Sequence, residues 1–217
     1  MKKNERRVRP QRKRDAFTRT HELGYYTVIT DAKHTEKNYL SGLRQSLPLE
    51  MQKNLVIKVI DSIPSNEFMK KIKEIQSKEV TYGQLWIVFD RDQISKFDKI
   101  IYEVEDKQKD MRIGWSNPCI EIWFHAYFGE MPSSSGSREC NALFCREFEH
   151  KTKQKYRKND NNIYRKLNQY GDENHAIKLA ETRHKGQPKG AKPSEMLSTS
   201  TLYCLIDEIR SKVKAKE

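Results

Sequence analysis

The sequence predicts an α/β protein: a mostly parallel four-stranded central sheet flanked by helices, with a helical C-terminal elaboration. Three observations predict it. Strand-like and helix-like apolar patterns alternate through the first half of the chain, the signature of successive βαβ units. Leu85, Trp86, Ile87, Val88 and Phe89 run apolar without a break, as expected of a strand buried on both faces of a parallel sheet. Asp31 and Asp90 each close a strand-like segment, and open α/β sheets place ligands at the carboxyl ends of their strands.

The elements follow in order. Tyr25, Tyr26, Thr27, Val28, Ile29 and Thr30 are β-rich and form the first strand. Thr35 is a plausible cap for a helix that carries Tyr39, Leu40 and Leu43 on one face. Residues 55–60 read as the second strand. Pro64 and Ser65 make a turn and cap, and Phe68, Ile72 and Ile75 give the next helix. The third strand is 85–89. After it, Ile94, Phe97, Ile100, Ile101 and Val104 form an amphipathic helix. Residues 112–115 read as a short fourth strand. Pro118 suits the first turn of an apolar helix capped by Ser116 or Asn117. A low-complexity loop at 131–137 leads to helices around Phe144 and Phe148, around Ile163, Leu167 and Tyr170, and around Ala176, Ile177 and Ala180. Residues 184–193, rich in Gly, Pro and Lys, read as a mobile loop able to cover substrate. A final helix over 199–213 packs Leu202, Leu205, Ile206 and Ile209. The chain thus divides into a flexible basic arm (1–20), an α/β core (21–130) and a helical extension that completes the domain (131–217).

Composition narrows the function classes. A chain of 217 residues, 35% hydrophobic, is long and apolar enough to bury a core. Lys and Arg number 42 against 30 for Asp and Glu, giving +12, which favours a polyanionic partner. No apolar stretch approaches the ~20 residues that span a bilayer. The basic N-terminus has no apolar segment after it, so a cytoplasmic protein is expected. The four cysteines form no C-x-x-C pair and read as reduced thiols.

The chemistry gathers on carboxylates. Asp90 and Asp92 stand at i and i+2; on a regular strand both would point to one side. Two hard oxygen ligands there suit Mg²⁺ or Mn²⁺; the plainer alternative is a helix cap at Asp90 and a solvated Asp92. Glu121 lies among Ile120, Ile122 and Trp123, where a carboxylate needs a metal, a base or an ion pair with a nearby Lys. His125, one turn on, and His184 are assigned no role. Lys155, Arg157 and Lys158, interleaved with Tyr156 and Tyr164, suit phosphate contact with base stacking, or simply a solvated basic face. Lys33 and Arg91 flank the acidic residues and complete the expected nucleic-acid contacts.

Three segments resemble one family. Lys33, His34, Thr35, Glu36, Lys37, Asn38 and Tyr39 after an acidic strand end resemble the E-G-x-x-T-E-x-x-Y element of RloB-like proteins. The stretch from Trp86 to Asp92 resembles their W-x-V-F-D-R-D strand, and that from Ser116 to Trp123 their S-N-P-C-F-E-x-W helix start. Pro193 and Ser194 are similar to a weaker N-P-S-T element. The resemblance covers about residues 24–213. It implies a Toprim-like fold with an acidic residue after the first strand and D-x-D after the third. Toprim sites bind Mg²⁺ and cut or rejoin phosphodiester bonds. RloB-like proteins are bacterial, often sit beside an ATPase partner, and look like effectors of phage defence.

On that resemblance, Asp90 and Asp92 hold Mg²⁺ or Mn²⁺. Asp31 or Glu36 completes the shell or serves as general base, and Glu121 is a further ligand or orients one. The substrate is RNA, tRNA included, or DNA; a homo-oligomer is left open. One departure weighs against this: Asp31 and Ala32 stand where the family has Glu-Gly. The shorter side chain sets its carboxylate back by about 1.5 Å, a displacement that can cost catalysis heavily. The rival expectation is therefore a weak or inactive Toprim-like subunit that carries nucleic acid or docks an ATPase.

Overall fold

A computed structural model describes residues 26–30, 34–60, 67–78, 84–94, 96–107 and 111–215. Strands Tyr26–Thr30 (β1), Leu55–Val59 (β2), Gln84–Asp90 (β3), Met111–Asn117 (β4) and Thr199–Ser200 (β5) form one sheet in the order β2-β1-β3-β4-β5. The first four run parallel, and β5 pairs antiparallel with β4. The expected sheet of four strands thus gains a fifth. Thr199 and Ser200 pair with Asn117 and Ser116 instead of opening the final helix. A two-residue strand is too short to show any period.

Helices Thr35–Gln45 (α1) and Leu49–Gln52 (α2) join β1 to β2; Phe68–Lys78 (α3) joins β2 to β3; Phe97–Lys107 (α4) joins β3 to β4. Glu121–Tyr127 (α5), Ser137–Thr152 (α6), Ile163–Tyr170 (α7), Glu173–Lys185 (α8) and Leu202–Lys214 (α9) form the C-terminal elaboration. This is the expected α/β architecture, a mostly parallel sheet flanked by helices, and it is consistent with a Toprim-like fold. None of the helices described is long and apolar enough to cross a membrane.

Side chains of β3 divide by parity between two apolar layers, as a pleated strand requires. Trp86 and Val88 join Tyr26, Val28 and the α1, α5, α6, α7, α8 and α9 residues in one cluster. Leu85, Ile87 and Phe89 join Ile29, Ile113 and Trp115 against α3 and α4 in the other. The sheet is therefore covered on both faces, and its carboxyl edge is left for polar residues.

Several element starts differ from expectation. Thr35 is the first residue of α1, not its cap, and its hydroxyl donates to the Lys158 carbonyl at 3.2 Å. Strand β4 runs through Asn117, so α5 starts at Glu121 and Pro118 lies in the turn before it. Tertiary partners explain the longer strand. Ser116 Oγ and Ser200 Oγ are hydrogen-bonded at 3.1 Å, and Asn117 Nδ2 donates to the Pro193 and Ser194 carbonyls at 3.0 and 3.1 Å. His184 belongs to α8, not to a loop, and its ring meets Trp115 edge-on. The end of the 184–193 segment is pinned by the Asn117 bonds. The basic arm 1–20 and the turn and cap at Pro64 and Ser65 lie outside the described residues.

Gly42 lets α1 approach α7: a Cβ there would collide with Tyr164 Cβ, an atom fixed to backbone. Gly42→Ala should therefore lower stability. Overpacking costs about 1–3 kcal/mol, while Ala in a helix regains about 0.5–1 kcal/mol. The expected net loss is roughly 1–2 kcal/mol, a fall in Tm of about 2–8 °C by thermal denaturation; an unchanged or higher Tm would contradict this packing.

Candidate functional site

The carboxyl edge of the sheet collects acidic residues from three loops. Glu36 sits in the first turn of α1, after β1. Asp90 ends β3, and Glu121 opens α5, after β4. All three are buried, with exposures of 2%, 4% and 1%. Burial pushes the Asp90 carboxyl well above its ordinary range, and the charges of Glu36, Glu121 and Asp92 push it the same way. Only its bond from the Ile120 N–H, at 3.0 Å, acts in the other direction.

Asp90 and Glu121 each use one carboxylate oxygen for the scaffold. Asp90 Oδ2 accepts from Ile120 N, tying β3 to the turn before α5. Glu121 Oε1 accepts from Asn141 Nδ2 at 2.9 Å and from the Tyr156 hydroxyl at 3.1 Å, and Lys158 Nζ lies 3.5 Å from the same oxygen. Asp90 Oδ1 and Glu121 Oε2 accept no hydrogen bond from the described residues. Left free by the scaffold and set among other acidic groups, these two atoms are the natural ligand positions for a hard cation. Lys158 carries a raised pKa: burial works against its charge, but Glu121, Cys119 and Asp90 outweigh that.

Asp92 does not share a strand face with Asp90. Strand β3 ends at Asp90, and Asp92 lies in a single 3-10 turn, Arg91–Gln93, where it is exposed. The strand's two-residue period stops applying one residue too early. Asp92 still acts on Asp90 through its charge, and its N–H donates to the Pro118 carbonyl at 3.3 Å. Asp31, Ala32 and Lys33 lie outside the described residues. Arg91, Lys155, Arg157 and Lys158 are exposed. Tyr156 and Tyr164 are not stacking platforms. The Tyr156 ring packs on Phe144 and Phe148, and Tyr164 is buried against Tyr39.

His125 is engaged by other residues: Nδ1 shares a 2.6 Å hydrogen bond with Glu147, and the ring packs on Phe144. Sequence reasoning missed Asn141 as a partner of Glu121; nothing in its local pattern signals it. Tyr156 was visible but pointed to the wrong role. Also missed was a partly buried polar network in which Glu173 accepts from Tyr127, Tyr164 and Arg210, with Tyr39 joined to Tyr127 at 2.8 Å. It binds α1 to the C-terminal helices.

Among the described residues, no group of three or more His, Cys, Asp or Glu side chains is arranged to hold a metal ion. Mg²⁺ does not require one, because it commonly binds through one or two carboxylates and keeps several waters. Hard carboxylate oxygens with open valences and mutual repulsion fit such an ion.

Fold and site together define an α/β protein with a mostly parallel sheet and an acidic cluster at the carboxyl edge of that sheet. The chain belongs to the RloB-like protein family, whose family model matches residues 26–209. No match was found among curated proteins or among solved structures.

The raised Asp90 pKa has a stability consequence. A carboxyl whose folded pKa lies above its unfolded value contributes stability at low pH and loses it as pH rises through the folded value. Asp90→Asn keeps the acceptor for Ile120 and removes the charge. Its Tm relative to the parent should rise between pH 5 and pH 8. A difference that stays constant or shrinks would show that Asp90 is not held against its neighbours' charge.

Proposed function

We propose that the protein is a metal-dependent endonuclease that cleaves phosphodiester bonds in RNA, tRNA included, or in DNA. We further propose that it acts as an effector of bacterial anti-phage defence of the abortive-infection type. One observation carries the enzymatic reading: two buried carboxylates from different loops each spend one oxygen on the scaffold and leave the other unengaged at the same edge of the sheet. The defence role, and an ATPase partner encoded nearby, are supported by family membership.

Asp90 and Glu121 are the groups that would hold Mg²⁺ or Mn²⁺, with Asp31 and the exposed Asp92 as further oxygen donors. The ion would supply Lewis acidity where charge develops on the phosphoryl group. Glu36, buried beside Asp90, is the general base or completes the shell. Asp90, whose carboxyl is pushed well above its ordinary range by burial and by the neighbouring carboxylates, is a stronger proton acceptor than an exposed aspartate. Exposed Arg91, Lys155, Arg157 and Lys158 grip phosphates, and Lys33 is assigned the same task. A groove of about 590 Å³ lined by Lys155, Arg157, Asp160, Asn161 and Lys166 runs beside them.

A second reading rests on Glu121 Oε1, already held by three side chains. A site so occupied suits a non-catalytic subunit that carries nucleic acid or docks an ATPase. Incubation of the purified protein, with and without the neighbouring ATPase, with total RNA and with plasmid DNA separates the two. The nuclease reading predicts cleavage that requires Mg²⁺ or Mn²⁺ and falls by roughly 100-fold or more in Asp90→Ala, but is unchanged in Glu50→Gln, an exposed control on α2. Binding without cleavage under every condition supports the carrier.

A further inference from the structure

The segment between α6 and α7, residues 153–162, is irregular and strongly basic, yet three of its atoms are aimed at the acidic edge. The Tyr156 hydroxyl and Lys158 Nζ both approach Glu121 Oε1, and the Lys158 carbonyl accepts from Thr35, the neighbour of Glu36. Lys158 differs from the other cations of this segment. Its ammonium faces a carboxylate of 1% exposure while its own side chain remains 59% exposed. The contact is a long ion pair at 3.5 Å, whereas Asn141 and Tyr156 donate shorter hydrogen bonds, at 2.9 and 3.1 Å, to the same atom. Two neutral donors therefore hold Glu121 independently of Lys158, whose distinctive contribution is its charge.

We propose that Lys158 is a built-in placeholder cation: in the metal-free protein it offsets the negative charge at Asp90 and Glu121, and it turns outward toward phosphate when a divalent ion takes that charge over. The inference rests on the reading of these carboxylates as a metal site. Three features support it. Like charges confined at low exposure favour any nearby cation. A single ammonium and a divalent ion at the same carboxylates repel each other, so each weakens the other's hold. The long, half-exposed lysine stem can reorient without disturbing the core, because Glu121 keeps its two neutral donors. The same segment lines a groove with Lys155, Arg157 and Asn159, the immediate neighbour of Lys158, so a released ammonium would add to a basic, phosphate-binding surface. Metal binding and nucleic-acid binding would then reinforce one another.

The test uses Mn²⁺ alone with the full chain, its affinity read by isothermal calorimetry at constant ionic strength. Lys158→Gln removes the charge and keeps a polar side chain at an exposed position. It should bind Mn²⁺ roughly two- to fivefold more tightly than the parent, the range expected of a half-exposed ion pair. Lys155→Gln changes net charge equally but not the Glu121 contact, and should shift affinity far less. Equal affinity in Lys158→Gln and parent, weaker binding in Lys158→Gln, or the same gain in Lys155→Gln would overturn the placeholder role while leaving the metal site standing. Absence of Mn²⁺ binding in all three proteins would overturn the metal site itself, and the placeholder with it.

Discussion

Like charges held together out of water are the constraint around which this structure is arranged. Glu36, Asp90 and Glu121 would repel one another less if spread over the surface, yet three separate loops deliver them to one buried edge. The sheet makes this affordable. Trp86, Ile87, Val88 and Phe89 precede Asp90 and are buried on both faces, and each such side chain contributes about 1.5–3 kcal/mol. That gain, repeated along β1 and β4, outweighs the unfavourable placement of a few carboxylates. Proteins commonly sacrifice stability at working sites in this way.

The segment from Ser116 to Trp123 shows how one contiguous motif divides its labour. Ser116 and Asn117 hold the far end of the chain, through Ser200 and through the Pro193 and Ser194 carbonyls. Ser194 in turn donates through both its N–H and its hydroxyl to Asp98, at 2.7 and 2.6 Å, so α4 is secured to the same point. Ile120 lends its N–H to Asp90, and Glu121 presents its carboxylate. Ile122, Trp123 and Phe124 vanish into the core. Scaffold and chemistry are thus separated by single residues. The oxygen left open on Glu121 depends on Asn141 and Tyr156, which arrive from beyond that motif.

Much of the fold was legible because it is written in period and punctuation. The unbroken apolar run of β3, the helical spacing of Ile94, Phe97, Ile100, Ile101 and Val104, and the acids that close the first and third strand segments signal parallel β/α units directly. What escaped depended on distance. Strand β5 has two residues and no pattern; only pairing with β4 defines it. The start of α5 moved because tertiary bonds to Asn117 overrode the local preference of Pro118 for a first helical turn. Of the candidate site, the residue types were visible, but their alignment was not. Asp92 left the strand face when β3 ended at Asp90. Tyr156 and Tyr164, read as aromatic partners for bases, turned inward because the C-terminal helices needed apolar area and hydroxyl donors there.

The central claim is that the open oxygens of Asp90 and Glu121 form one cation site at the carboxyl edge of the sheet. Anomalous diffraction from crystals of the protein soaked in Mn²⁺ addresses it most directly. The expected result is a peak within coordination distance of Asp90 Oδ1 and Glu121 Oε2. Mn²⁺ density only at surface carboxylates, with the buried pair bridged by protein donors alone, would contradict it.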